Sequence, residues 1–141
     1  MSNIVFRPIE KKDLEEVFLL LQQLTEIDYL NRDKEKCWDL FSSCSSESLV
    51  GVYKGKVIAY GSLVLEYKIR GGISGHIEDI VVSDEIRNKN VGTNLIKHLS
   101  EIGENKGCYR ITLFCKEHLI NFYSRNGFEV SNIAMKKFPK K

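Results

Sequence analysis

The chain has 141 residues, a length that one hydrophobic core serves without splitting, so a single domain over 1–141 is expected. With 43% hydrophobic and 28% charged residues, only two prolines and no biased tract, it has the make-up of an ordered globular protein. Its 21 basic residues nearly balance 19 acidic ones; a net charge of +2 excludes the broadly basic surface that nucleic-acid binding needs, so an anionic partner must be met locally. The longest apolar run near the start, Val17 to Leu21, follows Glu15 and Glu16 and is too short for a signal-peptide core or a membrane span. A cytoplasmic protein that does not engage membranes is expected. Cys37, Cys44, Cys108 and Cys115 form no CxxC pair and have no closely spaced histidines beside them. No metal site is expected, and the thiols read as small hydrophobes.

Asn3 to Arg7 is short and β-prone, and Pro8 closes it. Apolar residues at Leu14, Val17, Phe18, Leu21 and Leu24 then predict an amphipathic helix over 13–24. A second helix is expected from Asp33 to Phe41, with Asp33 as its cap, and the serine-rich stretch Ser42 to Ser48 ends it. Leu49–Tyr53 and Val57–Leu65 read as two strands joined by the Lys54-Gly55-Lys56 turn. After the Gly71-Gly72 loop, Gly75 to Val82 is another strand, apolar apart from the adjacent carboxylates Glu78 and Asp79. Val91, Leu95, Ile96, Leu99 and Ile102 trace a helix that Gly103 and Gly107 help to end. Tyr109–Cys115 reads as a strand, and Glu117–Asn126 as a short helix closed by Gly127 as a left-handed cap. Phe128 to Met135 reads as a final strand. The order β-α-α-β-β-β-α-β-α-β predicts an α/β protein with helices on the faces of a mixed sheet.

The most informative segment joins the end of a strand, Ile80-Val81-Val82, through a polar turn to a helix starting near Val91. A helix N-terminus presents free N–H groups and the positive end of its dipole, and Arg87 and Lys89 add charge where a phosphate would sit. The turn lacks both the glycines of a dinucleotide fingerprint and the GK[ST] of a Walker loop, so an ordinary capped helix is the plain alternative.

Arg87-Asn88-Lys89-Asn90-Val91-Gly92 resembles the R/Q-x-x-G-x-G/A pyrophosphate loop of the GCN5-related N-acetyltransferases (GNAT). Together with GHIEDIVV from Gly75, GCYRI from Gly107 and FYSRNGF from Phe122, the similarity narrows to the eukaryotic glucosamine-6-phosphate N-acetyltransferases and runs from about Phe6 to Met135. The chain departs from that pattern at three places. Asn90 stands at the loop's central glycine, and asparagine is among the side chains that best tolerate a positive φ. Phe114 replaces an Asp before Cys115, and Leu119 replaces an Asn four residues before Tyr123.

The resemblance implies a GNAT fold, with splayed strands where acetyl-CoA binds, and direct transfer of the acetyl group to the 2-amino group of glucosamine 6-phosphate. It implies that main-chain N–H groups of Ile80, Val81 and Val82 face the thioester carbonyl and pantetheine. It also implies that Arg87, Asn88, Lys89, Asn90, Val91, Gly92 and Thr93 hold the pyrophosphate, and that Tyr123 protonates the departing sulfur. The carbonyl of Phe114 would accept the amine proton, a backbone role that survives the exchange of side chain. Glu78 and Asp79, adjacent on a strand, are expected to point to opposite faces, one toward the sugar. Thr25, Lys68, Tyr109, Arg110 and Ile80 complete the expected sugar-phosphate site, with Lys137 reaching across a two-fold homodimer.

Plainer readings stand beside these: Tyr123 as a packed aromatic, the two carboxylates as ion-pair partners, Thr25 as a helix-terminal hydroxyl, Lys137 as a solvated tail residue. His76 and Cys115 are expected to be structural. The alternatives in function are another small amine or a protein N-terminus as acceptor, or an acyl-CoA-binding domain without turnover.

Overall fold

The computed structural model describes residues 3–26, 33–86 and 90–139. Strand β1 (Val5–Pro8) is followed by a 3-10 turn, Lys11–Asp13, that runs into α1 (Leu14–Leu21). Then come α2 (Lys34–Ser42), β2 (Ser46–Tyr53), β3 (Lys56–Tyr67), β4 (Ile73–Val82), α3 (Val91–Asn105) and β5 (Cys108–Leu113). A 3-10 turn, Glu117–Leu119, leads into α4 (Ile120–Arg125). The five strands form one sheet in the order β1-β2-β3-β4-β5, antiparallel except for the parallel β4–β5 pair that the α3 crossover requires.

Local chemistry accounts for the boundaries. Asp33 accepts a hydrogen bond from the Lys36 N–H, 3.1 Å, and caps α2 as its position predicts. Lys54 and Gly55 both take positive φ, 50° and 76°, the geometry of a two-residue turn whose twist matches the β2–β3 hairpin. Gly127, φ 92°, follows α4, and the Phe128 N–H returns to the Tyr123 carbonyl at 3.1 Å. That closure fixes the end of the helix that carries Tyr123.

Helices cover both faces of the sheet. On one face α3 and Tyr123 pack over Leu49, Ile58, Leu63 and Ile77. On the other, Val17 and Leu20 of α1 pack over Val50, Val57, Tyr60 and Val81.

Three expectations are corrected. Gly103 does not end α3; it lies inside the helix, where an added Cβ would stand 2.8 Å from Ile111, so its missing side chain lets the helix approach β5. Ser46, Glu47 and Ser48 belong to β2 rather than to a loop, and Ser48 hydrogen-bonds Ser62 across the buried sheet at 2.8 Å. Phe128 to Met135 forms no strand: its alternating pattern suits one, but the segment runs along the surface without a ladder partner among the described residues. Ile133 and Met135 are 91% and 95% exposed.

Strand β4 carries a bulge. Tyr60 pairs with Val81 and Ser62 with Glu78, so Gly61 alone faces the two residues Asp79 and Ile80. Asp79 has φ 58°, a left-handed conformation rare for a residue with a side chain. A Cβ on Gly61 would lie 2.6 Å from Ile80 and 3.0 Å from Leu99. Gly61→Ala should therefore push the bulge away from α3 and lower stability by roughly 1–3 kcal/mol. Chemical denaturation monitored by circular dichroism measures that loss.

Candidate active site

The bulge and the end of the β4–β5 pairing coincide. The parallel register runs from Ile73 opposite Cys108 to Ile77 opposite Leu113 and stops there, so Glu78 to Val82 leave β4 without a β5 neighbour. β5 itself ends at Leu113, so the β4 backbone along Ile80, Val81 and Val82 runs on beyond the β5 ladder, where the resemblance places the thioester.

The bulge also redirects the carboxylates. Ile77 and Ile80 both pack against the α3-side core, a spacing of three that strict alternation forbids, and Val81 faces α1. Glu78 and Asp79 fall between them, and both are exposed. Glu78 lies beside His76 on the α1 face; burial pushes the Tyr60 pKa up, and the Asp79 charge adds to that shift. The bulge inserts one residue into the alternation, so strict alternation, on which the expectation of opposite faces for the two carboxylates rests, does not hold here.

A cleft of about 450 Å³ opens on this face. Lys68, His76, Glu78, Arg110, Thr112 and Phe114 line it. Lys68 Nζ meets Glu66 at 2.6 Å, and Arg110 Nε donates to Ser74 Oγ at 3.2 Å while its guanidinium stands 5.4 Å from the centre of the Tyr109 ring. Tyr109 thus supports Arg110 from outside the cleft. Phe114 is 72% exposed and sets its ring edge-on to His76, 4.7 Å between centroids.

A second cleft, about 500 Å³, lies between β5, α4 and the segment after Phe128. Arg110, Thr112 and Phe114 are common to both, and Cys115 and Tyr123 line the second. Tyr123 is 9% exposed, wedged edge-on between Phe122 and Phe128. Burial, with a smaller contribution from Cys115, raises its pKa above the ordinary phenol value, so it holds its proton at neutral pH.

The loop toward α3 is described only in part. Arg87, Asn88 and Lys89 lie outside the described residues. Asn90 takes φ 55° and ψ 27°, the left-handed conformation its residue type allows, and its own side chain makes no capping bond to the helix start. Val91, Gly92 and Thr93 form the first turn of α3, where a helix presents its N–H groups, and Gly92 packs close to the Phe122 ring.

Two of the remaining expected residues stand apart. Thr25 follows the last turn of α1, its N–H bonded to the Leu21 carbonyl at 3.1 Å, and lines neither cleft. Lys137 sits on the exposed tail and also lines neither. Sequence reasoning missed Gln23, whose side-chain amide donates to the Val82 carbonyl at 2.9 Å and accepts from the Asp84 N–H at 3.2 Å. That two-point clamp ties α1 to the end of β4, and nothing in a Gln-Gln pair signals it.

Among the described residues no group of His, Cys, Asp or Glu forms a metal cage, and no helix is long and apolar enough to cross a membrane. A family model described as the acetyltransferase (GNAT) family matches residues 13–128. The chain is 39% identical over 150 residues to glucosamine 6-phosphate N-acetyltransferase 1 of Dictyostelium discoideum, across 96% of this chain and 94% of that protein. It is 33% identical to glucosamine 6-phosphate N-acetyltransferase of Trypanosoma brucei brucei, across 96% and 98%. Its fold superposes on the crystal structure of glucosamine-6-phosphate N-acetyltransferase from Arabidopsis thaliana with a TM-score of 0.87 and 28% identity, over 97% of this chain and 99% of that one. By sequence and by fold, then, the chain belongs to the GNAT acetyltransferase family, among its glucosamine 6-phosphate N-acetyltransferases.

Proposed function

We propose that this protein is a cytoplasmic, homodimeric enzyme of one domain that transfers the acetyl group of acetyl-CoA to the 2-amino group of glucosamine 6-phosphate, a step toward UDP-N-acetylglucosamine. The observation that carries the reading is the end of the β5 ladder at Ile77, where β4 runs on through its bulge between a cleft bearing two cations and a cleft bearing Tyr123.

Acetyl-CoA, when bound, supplies an acetyl group activated as a thioester. The protein's own groups do the rest. N–H groups along Ile80–Val82 stabilise the negative charge that develops on the carbonyl oxygen. The N-terminal turn of α3 takes the pyrophosphate, with Arg87 to Lys89 completing the loop. Lys68 and Arg110 hold the sugar phosphate, Glu78 and Asp79 draw the amine, and the Phe114 carbonyl accepts a hydrogen bond that orients the amine N–H as the C–N bond forms, the proton leaving to water. Tyr123, kept protonated by burial, delivers a proton to the sulfur as the C–S bond breaks and regains one from water.

The exposed tail supports the dimer. β5 is an edge strand of the sheet, and beside it runs a segment with Val130, Ile133, Met135 and Phe138 in water. A second copy that covers these side chains would also carry Lys137 toward its partner's sugar-phosphate cleft.

Three outcomes are expected. Tyr123→Phe should lower kcat by about 10²–10⁴-fold while CoA affinity by calorimetry stays near wild type. Because the phenol's pKa is raised, loss of its proton should cut kcat only above the ordinary tyrosine range, and the variant should lack that alkaline fall; an unchanged kcat would remove this acid. Turnover by CoA release should favour glucosamine 6-phosphate over glucosamine by at least roughly tenfold, a preference that Lys68→Ala with Arg110→Ala reduces, since paired charge-assisted contacts are lost. Other amines outpacing it by orders of magnitude would make the acceptor assignment wrong. Ile133→Asp with Met135→Asp should convert a dimer to a monomer by light scattering; a monomeric wild type would end the dimer reading.

A further inference from the structure

Resting on the reading of Glu78 as a substrate-facing carboxylate, we propose that His76 is a positioning residue that fixes Glu78 for the acceptor amine. The ring is held on three sides. Its Nδ1 stands 2.7 Å from Thr112 Oγ1, its face meets the edge contact with Phe114, and its Nε2 points to Glu78 Oε1 at 3.6 Å.

Either ring nitrogen can carry the imidazole proton, and the positioning role takes the tautomer in which the Thr112 hydroxyl donates to Nδ1, 2.7 Å away, rather than to the Gly75 carbonyl at 3.5 Å. Nε2 then carries the imidazole proton and aims it at the carboxylate. The gap of 3.6 Å is beyond a direct hydrogen bond and is closed by a small turn of Glu78 or by one bridging water.

The other charges of the cleft have partners of their own: Lys68 is tied to Glu66, and Arg110 to Ser74. Among the described residues, His76 is the group that faces Glu78. Its side chain is 23% exposed against 52% for Glu78, so the less mobile ring backs the carboxylate at the mouth of the cleft. A glutamate free to swing would lose several rotamers' worth of freedom on meeting a cationic amine; one already held loses less. The arrangement therefore acts on amine binding and leaves the acetyl-CoA side untouched.

A double-mutant cycle tests this with acetyl-CoA and glucosamine 6-phosphate. His76→Leu should raise the KM for the amino sugar about tenfold, with the KM for acetyl-CoA and the melting temperature near wild type. His76→Gln, which keeps a donor close to the Nε2 position, should restore most of the loss. In a Glu78→Gln background, His76→Leu should change the KM by less than about twofold, because the group it positions is already altered. If His76→Leu does not fold, Thr112→Val, which removes the anchor of Nδ1, should raise the same KM several-fold. Effects of His76 and Glu78 that multiply, or a His76→Leu enzyme with unchanged KM beside a Glu78→Gln enzyme with raised KM, would overturn the positioning role. A Glu78→Gln enzyme with unchanged KM would overturn the reading of Glu78 itself, and this proposal with it.

Discussion

Strand β4 carries one residue more than β3 can match, and the rest of the site follows from where that residue is placed. Gly61 gives the bulge its room: with no Cβ, it lets Ile80 close onto Leu99 of α3 while Asp79 takes a left-handed backbone. Such a conformation costs of order 1–3 kcal/mol and persists only where packing on both sides holds it. Here Ile77 and Ile80 are pinned on one face and Val81 on the other. The β5 ladder ends at Ile77, just before this turn, and the Gln23 clamp beyond α1 holds the far end of β4.

Much of this architecture is legible in the amino-acid sequence, for reasons that can be named. Leu14, Val17 and Phe18 lie on one helical face and are buried as their spacing requires. Asp33 caps, Gly127 closes α4, and Asn90 takes the positive φ that few other side chains accept. What the sequence hides is non-local. The Gly75–Val82 run reads as one regular strand, and only the three-residue spacing of Ile77 and Ile80, seen against the core each joins, reveals the extra residue. Gly103 reads as a helix terminator because its real partner, Ile111, is in another element. The Phe128–Met135 pattern has the alternation of a strand, but a strand needs a neighbour, and among the described residues it has none.

The charge distribution answers the constraint set by composition. A net charge of +2 gives no general pull on anions. Lys68 and Arg110 share one cleft, each oriented by a neighbour, Glu66 and Ser74, which limits the entropy lost when a ligand arrives. His76 reads as structural in the sequence, yet its contacts join the cleft wall to Glu78. The signal that points to it is the His-x-Glu spacing itself, which puts both side chains on one face before the bulge breaks the alternation.

The parity of β4 has a consequence for how this protein can vary. Deleting Asp79 would remove the bulge and restore plain alternation with Ile77 and Ile80 still on one face and Val81 on the other, so the core would keep its side chains while the left-handed turn in the strand was lost. The extra residue in β4 is therefore not demanded by the core, which a regular strand would fill equally well; what it adds is the turn of the chain at Asp79, beside the place where the β5 ladder ends.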